Sequence, residues 1–147
     1  MTILVSKSTV IENIYKNIYD LVSSITGFST ICYPAFPYIN IDDKADYPII
    51  IIDSPEISND TFTFGKGKVE GSVSIDIYTT SAATTDSYSS DIIDKIETSK
   101  FTLAGLGLRR VHLTNTSTDS VSHGKIRVHL KTLTFEYKFY YIGTEAF

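Results

Sequence analysis

The amino-acid sequence predicts an α+β fold: a mixed, mainly antiparallel twisted sheet with two helices packed on one face. The expected order is α-β-β-β-α-β-β, with a long C-terminal strand or hairpin extending from the body. Three observations predict it. Apolar residues recur at three- and four-residue steps between Thr9 and Gly27, the period of a helix with one buried stripe. Four consecutive isoleucines, Ile49 to Ile52, stand between Pro48 and Pro55, the pattern of a strand covered on both faces. Lys125 to Tyr141 is almost uninterrupted strand sequence; at roughly 3.3 Å per residue it would reach about 56 Å, against a radius of gyration of roughly 15 Å for a compact chain of this length. Such a strand must curl or leave its own domain, and a rim of unpaired backbone groups is normally covered by something. The first expectation is a protein that assembles.

The elements follow in order. Thr9-Val10-Ile11-Glu12 has capping-box spacing, and Ile11, Ile14, Tyr15, Ile18, Leu21, Val22 and Ile25 form the stripe of a first helix that ends at Gly27. Ile31 to Asp46 holds Pro34, Pro37, Asp42, Asp43 and Asp46, and fits short extended pieces joined by a turn. Pro48 can only begin the isoleucine strand. Thr61-Phe62-Thr63-Phe64 before Gly65-Lys66-Gly67-Lys68 suggests a hairpin. Val69, Gly71, Val73, Ile75 and Ile77 then alternate with Glu70, Ser72, Ser74 and Asp76, giving one packed side and one that is wet or meets a partner.

A Ser/Thr-rich connection from Thr79 to Thr85 leads to a second helix with Tyr88, Ile92, Ile93 and Ile96 on its apolar face and Asp86 near its positive end. Leu108 to Thr114 reads as a strand, Asn115 to Gly124 as a polar turn or long hairpin loop, and Ile126 onward as the last strand. That strand changes phase: Ile126, Val128 and Leu130 share one parity, whereas Leu133, Phe135, Tyr137 and Phe139 share the other. Either a β-bulge near Lys131-Thr132 restores the apolar side to the core, or the second half changes sheets or partners.

One domain spanning residues 1–147 is expected from the length, and a soluble globular class from 42% hydrophobic and 20% charged residues. Ten tyrosines and no tryptophan lean toward protein contacts. A net charge of -4 without a Lys/Arg cluster argues against nucleic-acid binding. The adjacent Arg109-Arg110 would point to opposite faces of a strand, so no shared phosphate site is expected. The single Cys32 excludes an internal disulfide and paired-cysteine motifs and fits a reducing compartment. No secretion signal and no apolar run of membrane-spanning length is read, so no membrane association is expected.

No catalytic, cofactor or metal site is expected. His112 and His129 lie in strands and would face each other across a hairpin, with His123 in a turn; none has a nearby ligand motif. No GxSxG elbow precedes a helix. Gly65-Lys66-Gly67-Lys68 lacks phosphate-loop spacing and enters a strand. Asp42, Asp43 and Asp46 do not match a calcium loop and read as a solvated turn. Nothing beside Cys32 would stabilise a thiolate.

The element order resembles the tail terminator family of tailed bacteriophages, also called tail completion or minor tail proteins. The residues carrying the likeness are Tyr47-Pro48-Ile49-Ile50-Ile51-Ile52, Val73-Ser74-Ile75-Asp76-Ile77-Tyr78 with its Ser/Thr linker, Ile92-Ile93-Asp94-Lys95-Ile96, and Thr134-Phe135-Glu136-Tyr137. The likeness implies a ring, generally of six copies, on the head-proximal end of the tail tube, which stops tube polymerisation and offers a docking surface to the neck. The implied partners are further copies of the chain, the tail tube protein, a neck or head-completion protein, and a sheath protein if the tail is contractile. DNA passes the lumen without specific binding, assembly occurs in the host cytoplasm, and no catalysis or cofactor is implied.

Phe62, Phe64, Lys66, Lys68, Arg110, Tyr137, Phe139 and Tyr141 are the expected interface residues, with the Phe62 to Lys68 hairpin and the Asn115 to Gly124 loop reaching tube or neck. The aromatic end of the last strand would extend a neighbour's sheet. Competing readings are another head-tail connector ring, such as a head completion or adaptor protein; a small α/β enzyme joining His112, His129 and the Asp42 to Asp46 acids in a cleft; and a monomeric binding module whose long strand curls.

Overall fold

Two long antiparallel strands carry the architecture. The structure, a computed structural model, describes residues 3–5, 9–34, 47–63, 66–123 and 126–143. Its elements are β1 (Ile3–Val5), α1 (Val10–Ser23), β2 (Cys32–Tyr33), β3 (Ile49–Ile52), β4 (Glu56–Thr63), β5 (Lys66–Thr79), α2 (Ala82–Thr98), α3 (Lys100–Gly105), β6 (Leu108–His123) and β7 (Ile126–Gly143). β5 and β7 pair in unbroken antiparallel register from Lys66 opposite Ile142 to Thr79 opposite His129. The outer side of β5 is shared by β4 and β3, and β2 runs parallel to β3 beyond it. The outer side of β7 is shared by β6 and the short parallel β1. The fold is the α+β arrangement expected, with β1, α3 and a fourth strand between α1 and α2 as additions.

The C-terminal strand is not an open edge. β7 has its own β5 on one side and its own β6 and β1 on the other, so its length is matched by long partners rather than left for another molecule. No bulge interrupts its register with β5, and β7 keeps β5 as its partner from His129 to Ile142, so neither alternative offered for the phase change near Lys131-Thr132 holds. The phase change has another cause: the sheet is apolar on different faces at its two ends. Leu133, Phe135, Tyr137, Phe139 and Tyr141 join the main core, whereas Val128 joins a second cluster with Tyr47, Ile49 and Ile51. Consecutive isoleucines in β3 serve both, Ile50 and Ile52 one and Ile49 and Ile51 the other.

The main core lies between the sheet and the helices. On α1, Val10, Ile14, Ile18 and Val22 are buried at the i, i+4 spacing that places them on one face; their burial contributes roughly 6–12 kcal/mol before chain ordering is counted. Ile11, expected in the stripe, is 46% exposed. The helix opens with Asn13 Nδ2 donating to the Thr9 carbonyl at 2.9 Å, and the chain turns through Gly27 at φ +87° after the helix has ended. On α2 the buried face is Thr85, Ser89, Ile92 and Ile96. Its polar half is satisfied locally: Thr79 and Thr85 share a hydroxyl hydrogen bond of 2.6 Å, and Ser89 donates to the Thr85 carbonyl at 2.7 Å.

Asn115 to Gly124, expected to be loop, is strand as far as His123; Gly124 lies outside the described residues. This part of β6 is paired with β7 down to His123 opposite Ile126, beyond the last residue of β5. Only the last three rows, Val121 opposite Val128 to His123 opposite Ile126, form a two-stranded arm, because residues 129–134 of β7 still pair with β5. Residues 114–120 are all exposed, so their Ser/Thr/Asn/Asp composition reflects a strand without a core beneath it.

Candidate functional site

Even-numbered residues of β5 and β7 face away from the helices, because their odd neighbours are buried. From one end to the other, this helix-free face changes character. At the β3 end it is the small apolar cluster around Ile49, Ile51 and Val128. In the middle it is hydrogen-bonded: Thr132 Oγ1 donates to Asp76 Oδ1 at 2.7 Å, and the hydroxyls of Ser74 and Thr134 lie 3.5 Å apart. Burial, reinforced by the Asp76 carboxylate, pushes the Asp53 carboxyl up to about 6.

At the far end the face becomes a charged cleft of about 500 Å³. Ser58 of β4 and Arg110 and His112 of β6 line it, with Glu70, Ser72, Glu136 and Lys138 between them. Glu70 accepts from Lys68 at 2.9 Å and lies 3.7 Å from Lys138. The Lys68 hydrogen bond holds Glu70 below the usual carboxylate range and raises Lys68 in turn. His112 Nδ1 donates to the Arg110 carbonyl at 2.7 Å, and its Nε2 is 3.7 Å from Glu136.

Arg110 has φ 54°, the left-handed region that side chains other than glycine rarely occupy. It sits in the register shift between Arg109 and His112, where the extra residue of a bulge re-aims its side chain. The expected separation of the arginine pair onto opposite faces is thereby corrected. Arg109 lies over the Tyr140 ring at 5.7 Å, on the same helix-free side as the cleft that Arg110 lines. Among the described residues no carboxylate pairs with Arg110.

The expected interface residues divide into three groups. Tyr137, Phe139 and Tyr141 are 2%, 0% and 0% exposed, which corrects their placement on a shared edge. Glycines make room for the two tyrosines, Gly71 being the register partner of Tyr137 and Gly67 that of Tyr141, while Phe139 stands opposite the buried Val69. A Cβ on Gly71 would collide with the Glu56 carbonyl and the Tyr137 hydroxyl, and one on Gly67 with the Tyr141 ring. The Tyr137 hydroxyl donates to that same Glu56 carbonyl at 3.1 Å. Lys66, Lys68 and Arg110 do reach the surface, and Lys68 and Arg110 are close enough to influence each other electrostatically. Phe64 and the side chain of Phe62 lie outside the described residues.

His112 and His129 do not converge. His112 is opposite Glu136 and His129 opposite Ser120, so seven residues of β7 separate their rows, about 23 Å. The acids Asp42, Asp43 and Asp46 lie outside the described residues. Cys32 is buried, and burial pushes its thiol up to about 11, which keeps it protonated and unreactive. Sequence reasoning did not single out the carboxylates Glu56 and Asp60 of β4, nor the approach of His112 to Glu136. The Lys/Glu alternation at Lys68, Glu70, Glu136 and Lys138 was the available signal.

No protein-family model matches the chain, and no curated protein matches it. Among solved structures, it is similar to a chain of the virion of a native gene transfer agent particle. The two share 11% sequence identity and a TM-score of 0.47, over 84% of this chain and 91% of that one.

Proposed function

We propose that the protein is a structural virion component of a tailed phage: a ring, six copies in the resembled family, at the head-proximal end of the tail tube. There it halts tube polymerisation and presents the docking surface for the neck. The observation that carries this reading is the placement of the two hairpins. The β4–β5 turn lies at the start of β5, and the β6–β7 arm leaves the sheet at the opposite end, where Thr79 faces His129. The fourteen residues of β5 hold them about 45 Å apart. One copy can therefore touch a partner above and another below while its flanks remain for its neighbours.

A head-to-tail contact that closes into a ring leaves no free end, and closure is what stops growth. The acidic net charge suits a lumen through which DNA moves without adhering. No catalytic step belongs to this role. The implied location is the head-proximal end of the tail in the virion, reached from the host cytoplasm.

The test is to add the purified chain to polymerising tube protein and measure tube lengths and end structures by electron microscopy. Capped ends and a shortened, narrowed length distribution are expected. Unchanged tubes would refute the terminator role, and binding to the portal side instead would make the protein a head completion or adaptor ring.

A further inference from the structure

We infer that the contact between copies is a charge pairing between the two opposite flanks of the sheet, with Glu56 and Asp60 of β4 meeting Arg109, Arg110 and His112 of β6. This deepens the ring reading and rests on it only for the number of copies. At the rows of Glu56 and Asp60, β4 is the outer strand on one side and β6 on the other, with β5 and β7 between them. The two flanks carry opposite charge: β4 has two carboxylates and no cation, whereas the first five residues of β6 include Arg109, Arg110 and His112. All five residues are exposed.

The charges also lie at the same level. Glu56 is opposite Ser72, Ser72 opposite Glu136, and Glu136 opposite His112, so Glu56 and His112 occupy one transverse row. Asp60 reaches Leu108 in the same way through Val69 and Phe139, one residue from Arg109. A second copy moved sideways across the strands would bring basic flank to acidic flank without a shift along them. That is the condition for a flat ring rather than a climbing filament. The order of directions, β4 opposed to β5, β5 to β7 and β7 to β6, makes the meeting flanks antiparallel.

Within the chain, Glu56, Asp60 and Arg110 form no ion pair among the described residues. Arg110 is moreover held in a left-handed conformation, an arrangement that needs a use to offset its cost. Both flanks are bulged at these rows, between Ile57 and Asn59 and between Arg109 and His112. Bulges interrupt edge-to-edge backbone pairing, so the contact is made by side chains rather than by a continuous ladder. This replaces the expected strand addition by the aromatic end of β7.

The experiment compares association of full-length variants by sedimentation across a salt series, with circular dichroism to verify folding. The double variant Arg109→Glu/Arg110→Glu and the double variant Glu56→Lys/Asp60→Lys should each weaken association by about a hundredfold or more, since like charges then face each other. The quadruple variant combining all four should recover association with itself but fail to join wild-type copies. Wild-type association should weaken as salt is raised. Either double variant associating as wild type does, a quadruple variant that remains monomeric, or a wild-type chain monomeric throughout would overturn the inference. Tube capping is read separately: rings with the predicted charge pattern that leave tubes unchanged would sink the terminator role alone, whereas capping unaffected by either reversal would sink this contact alone.

Discussion

Replacing Asp53 by Asn tests the electrostatics of the helix-free face. Asp53 follows β3, and its backbone N–H donates to Ser74 two residues before Asp76. Burial and the Asp76 carboxylate raise its pKa from 3.8 to about 6. A shift of about two units is worth roughly 3 kcal/mol between protonation states; because the group is only partly buried, solvent screening reduces this to about 1 kcal/mol. The folded pKa exceeds the unfolded one, so the folded chain holds the proton more tightly. The stability this supplies is complete below about pH 4, declines as pH rises through 6, and is absent above. Asparagine keeps the size and a donor toward Asp76 without the charge. Urea unfolding at a series of pH values should give variant and wild type equal stability near pH 4 and the variant an advantage of about 1 kcal/mol near pH 7.5. A difference that does not change with pH, or that favours wild type at the higher pH, would refute the assignment.

Gly71→Ala should destabilise by about 1–3 kcal/mol in urea unfolding, because its methyl group meets the Glu56 carbonyl and the Tyr137 hydroxyl; a neutral result would show that β4 can shift outward. Phe139→Glu should abolish cooperative folding rather than only assembly, since the ring is fully buried, and a folded monomer in circular dichroism would contradict that. Tyr137→Phe should cost about 1 kcal/mol through loss of the 3.1 Å bond to Glu56, measured as a lower urea midpoint. Cys32 should resist alkylation at pH 8 until denaturant is added, given its burial and raised pKa; rapid labelling of the native chain by mass spectrometry would count against it.

What the sequence disclosed depended on whether an element's burial is local. The α1 stripe, the isoleucines of β3 and the alternation of β5 follow from packing against a single layer or between two, and their periods are visible residue by residue. The β6–β7 arm has no such layer. The strand state of Asn115 to His123 comes from cross-strand hydrogen bonds to β7, so the polar sequence from Asn115 to Gly124 reads as loop. The aromatic residues of β7 were misplaced because what buries them is non-local: Gly67 and Gly71 lie far away in sequence, and only the register sets each glycine under a tyrosine. Arg110 escaped parity reasoning because one bulged residue alters which way its neighbours face.

The unbroken β5–β7 register has a mechanical consequence. The two hairpins join these strands at opposite ends, one at the start of β5 and the other at the start of β7. Traction that draws the hairpins apart therefore slides β5 against β7, and fourteen rows resist together. The hydrogen bonds are strained crosswise in concert instead of being peeled in succession, which makes the central strand pair a tie rod between whatever grips either end.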